Sequence, residues 1–255
     1  MPKYRRPIIF VGTRADMEPL LETAEELGIP VLGILDRFYV GKKVEGIDVI
    51  GSDLDLINPV SNPVTELLEY ADFFVASYFS GTTNTEIDSQ NIFQLRMERI
   101  DLVKQARCNL ANLIHPNTQV SKTAQLGRNI LIMPGSYIES HVKIGSFSTF
   151  MYYNGVAHHC NIGENCAVMP EAGMSGSVTV GKNVVVGINT RILSSGDATT
   201  IGDNVILAPG LTILKDISSN SIVQVNGKIM TNEKFTSDVY GGIGISPSYK
   251  RITTN

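Results

Sequence analysis

A small parallel α/β unit followed by a parallel β-helix is the fold class the sequence predicts, on three observations. From Ile114 to Ile192 every sixth residue is apolar: Ile114, Val120, Leu126, Ile132, Ile138, Ile144, Phe150, Val156, Ile162, Val168, Met174, Val180, Val186 and Ile192. A glycine follows the apolar residue at Leu126-Gly127, Ile144-Gly145, Ile162-Gly163 and Val180-Gly181, eighteen residues apart each time. Ahead of this repeat, strand-like and helix-like segments alternate.

With 43% of the chain apolar, fourteen successive hits would arise by chance on the order of once in a hundred thousand phases tried, so the repeat is a structural instruction. Six residues advance an α-helix by about 600°, which scatters the apolar positions, whereas an even spacing keeps them on one side of a strand. Three hexads therefore make one coil of a triangular prism filled by the apolar ladder. The recurring glycine is expected at a corner that needs positive φ. The next such pair after Val180 is Ile201-Gly202, twenty-one residues on, so three extra residues loop out within 193–200 before Leu207 and Ile213 resume the count.

In the N-terminal part, residues 8–12 (IIFVG) read as a buried strand ending in Gly12. An apolar-periodic helix follows to Leu27, stopped by Gly28 and Pro30. Pro19 fits only a first turn, which makes Asp16 or Glu18 the expected N-cap and leaves residues 12–15 as a loop facing a helix N-terminus. Such a loop can hold an anion. Residues 31–35 (VLGIL), ending at Asp36, 46–51 (GIDVIG) and 72–77 (DFFVAS) read as further strands, and 87–106 as a longer helix. Alternation of this kind implies a small parallel sheet. The expected division is residues 1–109, residues 110–230 for the β-helix, and a C-terminal extension, 231–255, without a functional reading.

At 255 residues with a net charge of −4 and interspersed signs, the chain offers no basic stripe for a phosphate backbone. Nucleic acid is excluded as a partner. Three cysteines without a pairing pattern, no membrane-length apolar run and a polar start point to a reduced, cytoplasmic protein and to no membrane partner.

The repeat and its flanking motifs resemble the hexapeptide-repeat acyltransferases, and within them sugar acetyltransferases of the sialic-acid and bacillosamine type. That resemblance implies a Rossmann-like N-terminal domain joined to a left-handed β-helix. The residues carrying it are Ile114-His115-Pro116 at the start, KIGSFS (143–148), AHHCNIG (157–163), GIN (187–189) and the ILKDI segment near Ile213. His115 reads as a structural corner.

From the resemblance, His158 is the general base and the Gly176 backbone amide the oxyanion donor. Gly176, Gly187 and Asn189 are expected on acetyl-CoA. Gly12, Thr13, Arg14, Asp36 and Arg37 are expected on a nucleotide sugar, although only Gly12 of the family's Gly-rich loop is present and its acidic pair is here Asp36 followed by Arg37. Gly12 and Asp36 read equally well as a strand-end turn and a solvated charge. The eighteen-residue coil independently stacks Gly176 on His158, one strand spacing of about 5 Å away.

His159 stands where the family keeps a carboxylate, Ala167 where it keeps a CoA-contacting histidine, and Met151 where it keeps an asparagine. A neutral imidazole at 159 is expected to leave the base without an orienting partner. His141 falls one coil from His159, a pair that reads first as a wet face rather than a shared metal or proton. Adjacent His158 and His159 on an extended chain would diverge, so no metal site is expected. Cys160 and Cys166 share the parity of the ladder and belong inside the prism.

Taken together, the sequence points to an acetyl-CoA-dependent acyltransferase that N-acetylates a nucleotide-linked amino sugar, working as a homotrimer with small-molecule partners. Sugar O-acetylation and a non-catalytic binding or assembly module are the alternatives.

Overall fold

The computed structural model describes residues 5–13, 17–58, 63–76, 92–194 and 198–231. In the N-terminal unit, β1 (Ile8–Val11), β2 (Val31–Leu35), β3 (Lys43–Val44), β4 (Ile47–Gly51) and β5 (Asp72–Val75) form one sheet in the order β3-β4-β2-β1-β5. Every pairing is parallel except β3 with β4. The interior strand β1 is an unbroken apolar run, buried throughout, as a parallel strand covered on both faces must be.

Helix α1 (Glu18–Glu26) packs on one side, and α2 (Pro63–Tyr70) and α3 (Ile92–Gln105) complete the unit. The N-cap of α1 is Met17, with no side-chain hydrogen bond, rather than Asp16 or Glu18; Glu18 is already helical, and Asp16 lies outside the described residues. Pro19 lacks an N–H, so the first turn has one orphan donor fewer to satisfy. Gly28, at φ 64°, ends the helix.

The prism follows from Leu113. Its three sheets, parallel except for a terminal antiparallel pair of Ser221–Val223 with Ile229–Thr231, are built of short strands paired mostly at an offset of eighteen residues, such as Tyr137↔Gly155, Lys143↔Asn161 and Thr149↔Ala167. We call the sheets containing these pairs the first, second and third faces. Ladder residues from Ile132 to Val223 fill the interior together with Cys160 and Cys166. The offset grows to twenty-one at Val180↔Ile201, as the sequence predicts, and then shrinks to sixteen at Leu207↔Val223.

The corners differ from expectation in one respect. Gly127, Gly145, Gly163 and Gly181 have ordinary φ, and positive φ falls two residues later, at Asn129 (59°), Phe147 (64°), Asn165 (56°) and Asn183 (57°). The glycines are needed because successive coils touch there: a Cβ on Gly145 would lie 2.6 Å from the backbone nitrogen of Glu164. Left-handed residues recur at six-residue spacing on every corner, including His141, Tyr153, His159, Glu171, Ser177 and Asn189. Asparagine tolerates this conformation best among non-glycine residues, and at one corner Asn165, Asn183, Asn204 and Asn220 form a ladder of 2.9 Å amide hydrogen bonds.

The N-terminal unit docks on the third face of the prism. Outward-facing Leu113, Leu131, Ala167, Val185 and Ile206 form one buried cluster with Met17, Leu20, Ala24 and Phe74. Burying residues of this size stabilises by roughly 1.5–3 kcal/mol each for the larger ones. Polar clamps fix the register: Asn129 Oδ1 accepts from the Val75 amide at 2.6 Å, and Arg96 on α3 donates to the Phe147 carbonyl (2.6 Å) and Asn165 Oδ1 (2.8 Å).

Candidate active site

Three imidazoles gather on the edge between the first and second faces, across the prism from the docked N-terminal unit. His158 follows the ladder residue Val156 by two positions, and His159, at φ 60°, makes the turn. Gly176 occupies the position of His158 in the next coil, where a Cβ would lie 2.8 Å from Nε2 and 2.9 Å from Nδ1 of His158. Only glycine lets the imidazole lie flat against that coil, so the stacking expected from the eighteen-residue period is present.

Backbone hydrogen bonds hold the frame: His159 N donates to the Ser140 carbonyl (3.0 Å) and Ser177 N to the His158 carbonyl (2.9 Å). The His158 amide donates to Glu139 Oε2 at 2.9 Å, while no acceptor is found on the Gly176 amide among the described residues. An amide of this kind, beside an exposed imidazole, is able to hold a developing oxyanion next to a base.

The two histidines do not diverge as an extended chain requires. The left-handed turn at His159 brings Nδ1 of His158 and Nδ1 of His159 to 3.2 Å, with the rings 5.3 Å apart at 80°. His141 stacks on His159, their centroids 4.9 Å apart. Among the described residues, no group of three or more His, Cys, Asp or Glu side chains is arranged to hold a metal.

Other residues singled out by sequence lie elsewhere. Gly187 and exposed Asn189, at φ 54°, sit on the edge between the third and first faces. Ala167 and Met151 lie beneath the N-terminal unit rather than at the histidine edge of the same chain. His115 is a corner residue: Nδ1 accepts from the Asn117 amide (3.0 Å) and Nε2 faces Glu26 at 3.5 Å. Cys160 and Cys166 are buried and donate into the prism, to the carbonyls of Ser175 and Gly181. Burial pushes the Cys166 thiol up to about 12 and raises that of Cys160.

Gly12 ends β1 at φ 86°, a conformation that favours glycine. The adjoining Thr13 donates from N (2.8 Å) and Oγ1 (2.9 Å) to Asp36 Oδ2. Asp36 is not a solvated charge: it is 1% exposed and paired with Arg99, itself 2% exposed, at 2.9 Å. Arg99 and Arg37 also grip Asp53, each at 2.9 Å, and Arg37 reaches Glu98. Burial pushes the Asp53 carboxyl up, but the Arg37 hydrogen bonds and the Arg99 charge outweigh it and hold the group below its ordinary value. Arg14 lies outside the described residues. The sequence reading missed Arg99, which is sixty-three residues from Asp36 and has no local signal to announce it.

A parallel α/β unit followed by a left-handed hexapeptide β-helix is the architecture of the sugar N-acetyltransferases that the sequence resembles. Among solved structures, the chain is similar to PerB from Caulobacter crescentus in complex with CoA and GDP-perosamine, with a TM-score of 0.70 and 25% identity over 88% of this chain and 97% of that one. It is also similar to a histidine-to-asparagine variant of perosamine N-acetyltransferase from the same organism, with a TM-score of 0.72 and 24% identity over 89% and 97%. The acetyltransferase domain of PglB from Neisseria gonorrhoeae gives a TM-score of 0.71 and 24% identity over 89% of this chain and 100% of that chain. No protein-family model and no curated protein sequence matches the chain. No helix among the described residues is long and apolar enough to cross a membrane.

Proposed function

We propose that this protein is a cytoplasmic acetyl-CoA-dependent N-acetyltransferase acting on a nucleotide-linked amino sugar. The observation that carries the reading is the apposition of the exposed His158 imidazole with the unclaimed Gly176 amide on the adjoining coil. The likeness to PerB, solved with CoA and GDP-perosamine, supports the substrate class.

In the proposed reaction, the amine lone pair attacks the thioester carbonyl carbon, and the oxygen takes the negative charge against the Gly176 N–H. His158 takes the proton released by the amine. Collapse breaks the carbon–sulfur bond, and the departing thiolate receives that proton, giving an amide and free thiol without a covalent enzyme intermediate.

Acetyl-CoA lies along the histidine edge towards Gly176, with Gly187 and Asn189 on a neighbouring edge. In this reading Gly12, Thr13, Arg14, Asp36 and Arg37 serve the nucleotide sugar, Asp36 through its bonds to Thr13. Since the histidine edge lies across the prism from the N-terminal unit, this reading requires the loop of one copy to serve the histidine of another. A homotrimer packed about a threefold axis does this.

Release of free thiol from acetyl-CoA, measured across a panel of UDP-, GDP- and dTDP-linked amino sugars, tests the proposal. Turnover with at least one of them, abolished in His158→Asn, is expected. Absence of turnover with all of them would favour a binding module.

A further inference from the structure

Neighbouring side chains on an extended strand point to opposite sides, yet the rings of His158 and His159 meet. The left-handed backbone at His159 turns its side chain back so that the two Nδ1 atoms lie 3.2 Å apart. At that separation the two nitrogens share a single proton, one ring donating and the other accepting. His159 packs against His141, whose ring lies 4.9 Å away with a tilt of 33°. Of the remaining ionisable groups close by, Glu139 has an oxygen on the His158 amide, and Cys160 is turned inward to the Ser175 carbonyl.

Building on the acetyl-transfer reading above, we propose that His159 is the positioning residue for His158: its neutral Nδ1 accepts the Nδ1–H of His158. The proton is thereby fixed on the inner nitrogen, and Nε2 of His158 is left with a free lone pair for the amine proton. The reverse arrangement would place the proton on Nε2 and leave no base. A hydrogen bond accepted by a neutral ring thus replaces one accepted by the carboxylate expected at this position, without its charge. Histidine also suits the site because it is among the non-glycine residues that enter the left-handed region readily.

The arrangement is directly readable by nitrogen NMR on the full-length protein labelled in histidine, at a pH where the imidazoles are neutral. The expected spectrum shows His158 protonated on Nδ1 and bare on Nε2, with His159 bare on Nδ1. His158 protonated on Nε2 overturns the proposal, whatever the activity. Two variants supply the kinetic arm. His159→Asn retains a side-chain acceptor and is expected to keep kcat within about tenfold, whereas His159→Phe removes the acceptor and is expected to lower kcat by about 10²- to 10⁴-fold with little change in the KM for acetyl-CoA. Both residues already occupy left-handed corners in this chain, at Asn165 and Phe147, so the coil accommodates either. An unchanged kcat in His159→Phe also overturns the proposal. If the wild type releases no thiol with any amino sugar, the functional reading fails while the tautomer measurement still decides between the two arrangements.

Discussion

Glu139 caps the backbone amide of His158, its Oε2 reaching 2.9 Å from the preceding coil. Two coils on, Ser175 does the same for Ser194, with Oγ 2.7 Å from the nitrogen. Between them in that column stands Ala157, nineteen residues before Gly176, with no acceptor to offer. The Gly176 amide is left uncapped because the residue below it is alanine. Ala157→Ser is therefore expected to cap it and lower kcat by about 10²- to 10³-fold, the usual worth of one oxyanion donor, while the melting temperature stays put. An unaltered kcat in the thiol-release assay would place the oxyanion elsewhere.

Gly176→Ala tests the other half of the apposition. Its methyl would stand within 3 Å of both ring nitrogens of His158, so the imidazole has to swing off the coil. A rate loss of about two to four orders of magnitude is expected, comparable to removing a positioned base. Circular dichroism should be unchanged, since the displaced ring is exposed and free to turn into solvent.

The coil architecture was legible because a ladder of one residue in six leaves few other ways to bury itself. Two further signals lay in the same hexads. On the third face the residue before the ladder position is apolar at Leu113, Leu131, Ala167, Val185 and Ile206, with Thr149 the exception, but it is mostly polar or glycine on the other two. That difference marks the face that another unit covers. The third residue after each ladder position is repeatedly Asn, Gly or His, which marks the left-handed corner and so the convergence of His158 with His159. Reading the glycines beside the ladder as the positive-φ residues hid this. The Asp36–Arg99 pair had no comparable signal, since a buried ion pair between β2 and α3 leaves no periodicity in either.

The cysteines provide a check on the prism interior. Burial pushes the thiols of Cys108 and Cys166 up to about 12, and that of Cys160 rises for the same reason. Since the thiolate is the reactive form, a thiol reagent at pH 8 should label the folded protein very slowly. All three should react once it is denatured. Rapid labelling of Cys166 in the native state would contradict its place between coils.

Acid stability should reflect Asp53. Its carboxyl is held below the ordinary value of 3.8 in the folded chain, where Arg37 and Arg99 outweigh the effect of burial. A group with a depressed folded pKa stabilises fully above its unfolded pKa, and that contribution is lost as the pH falls through the folded one. Urea midpoints should therefore be insensitive to this group from neutrality down to about pH 4 and fall below it. Arg37→Met should shrink that acid-sensitive component; a midpoint profile identical to wild type would show that Arg37 adds nothing to it.

Asp36 separates a ligand contact from a strap. Its Oδ2 takes three donors, Thr13 N, Thr13 Oγ1 and Arg99 Nη2, and its Oδ1 takes the Phe38 amide. A carboxylate so occupied straps Thr13 to the end of β2 and to Arg99. Asp36→Ala would leave the buried Arg99 with one carboxylate instead of two, and breaking a buried pair of this kind costs roughly 3–5 kcal/mol. Asp36→Asn keeps the shape and loses the charge, so it should lose stability in smaller measure. If Asp36 acts as the strap, nucleotide affinity measured by calorimetry should fall in step with stability across the two variants, and a tightly folded Asp36→Asn that has lost only its nucleotide would instead identify Asp36 as a direct contact.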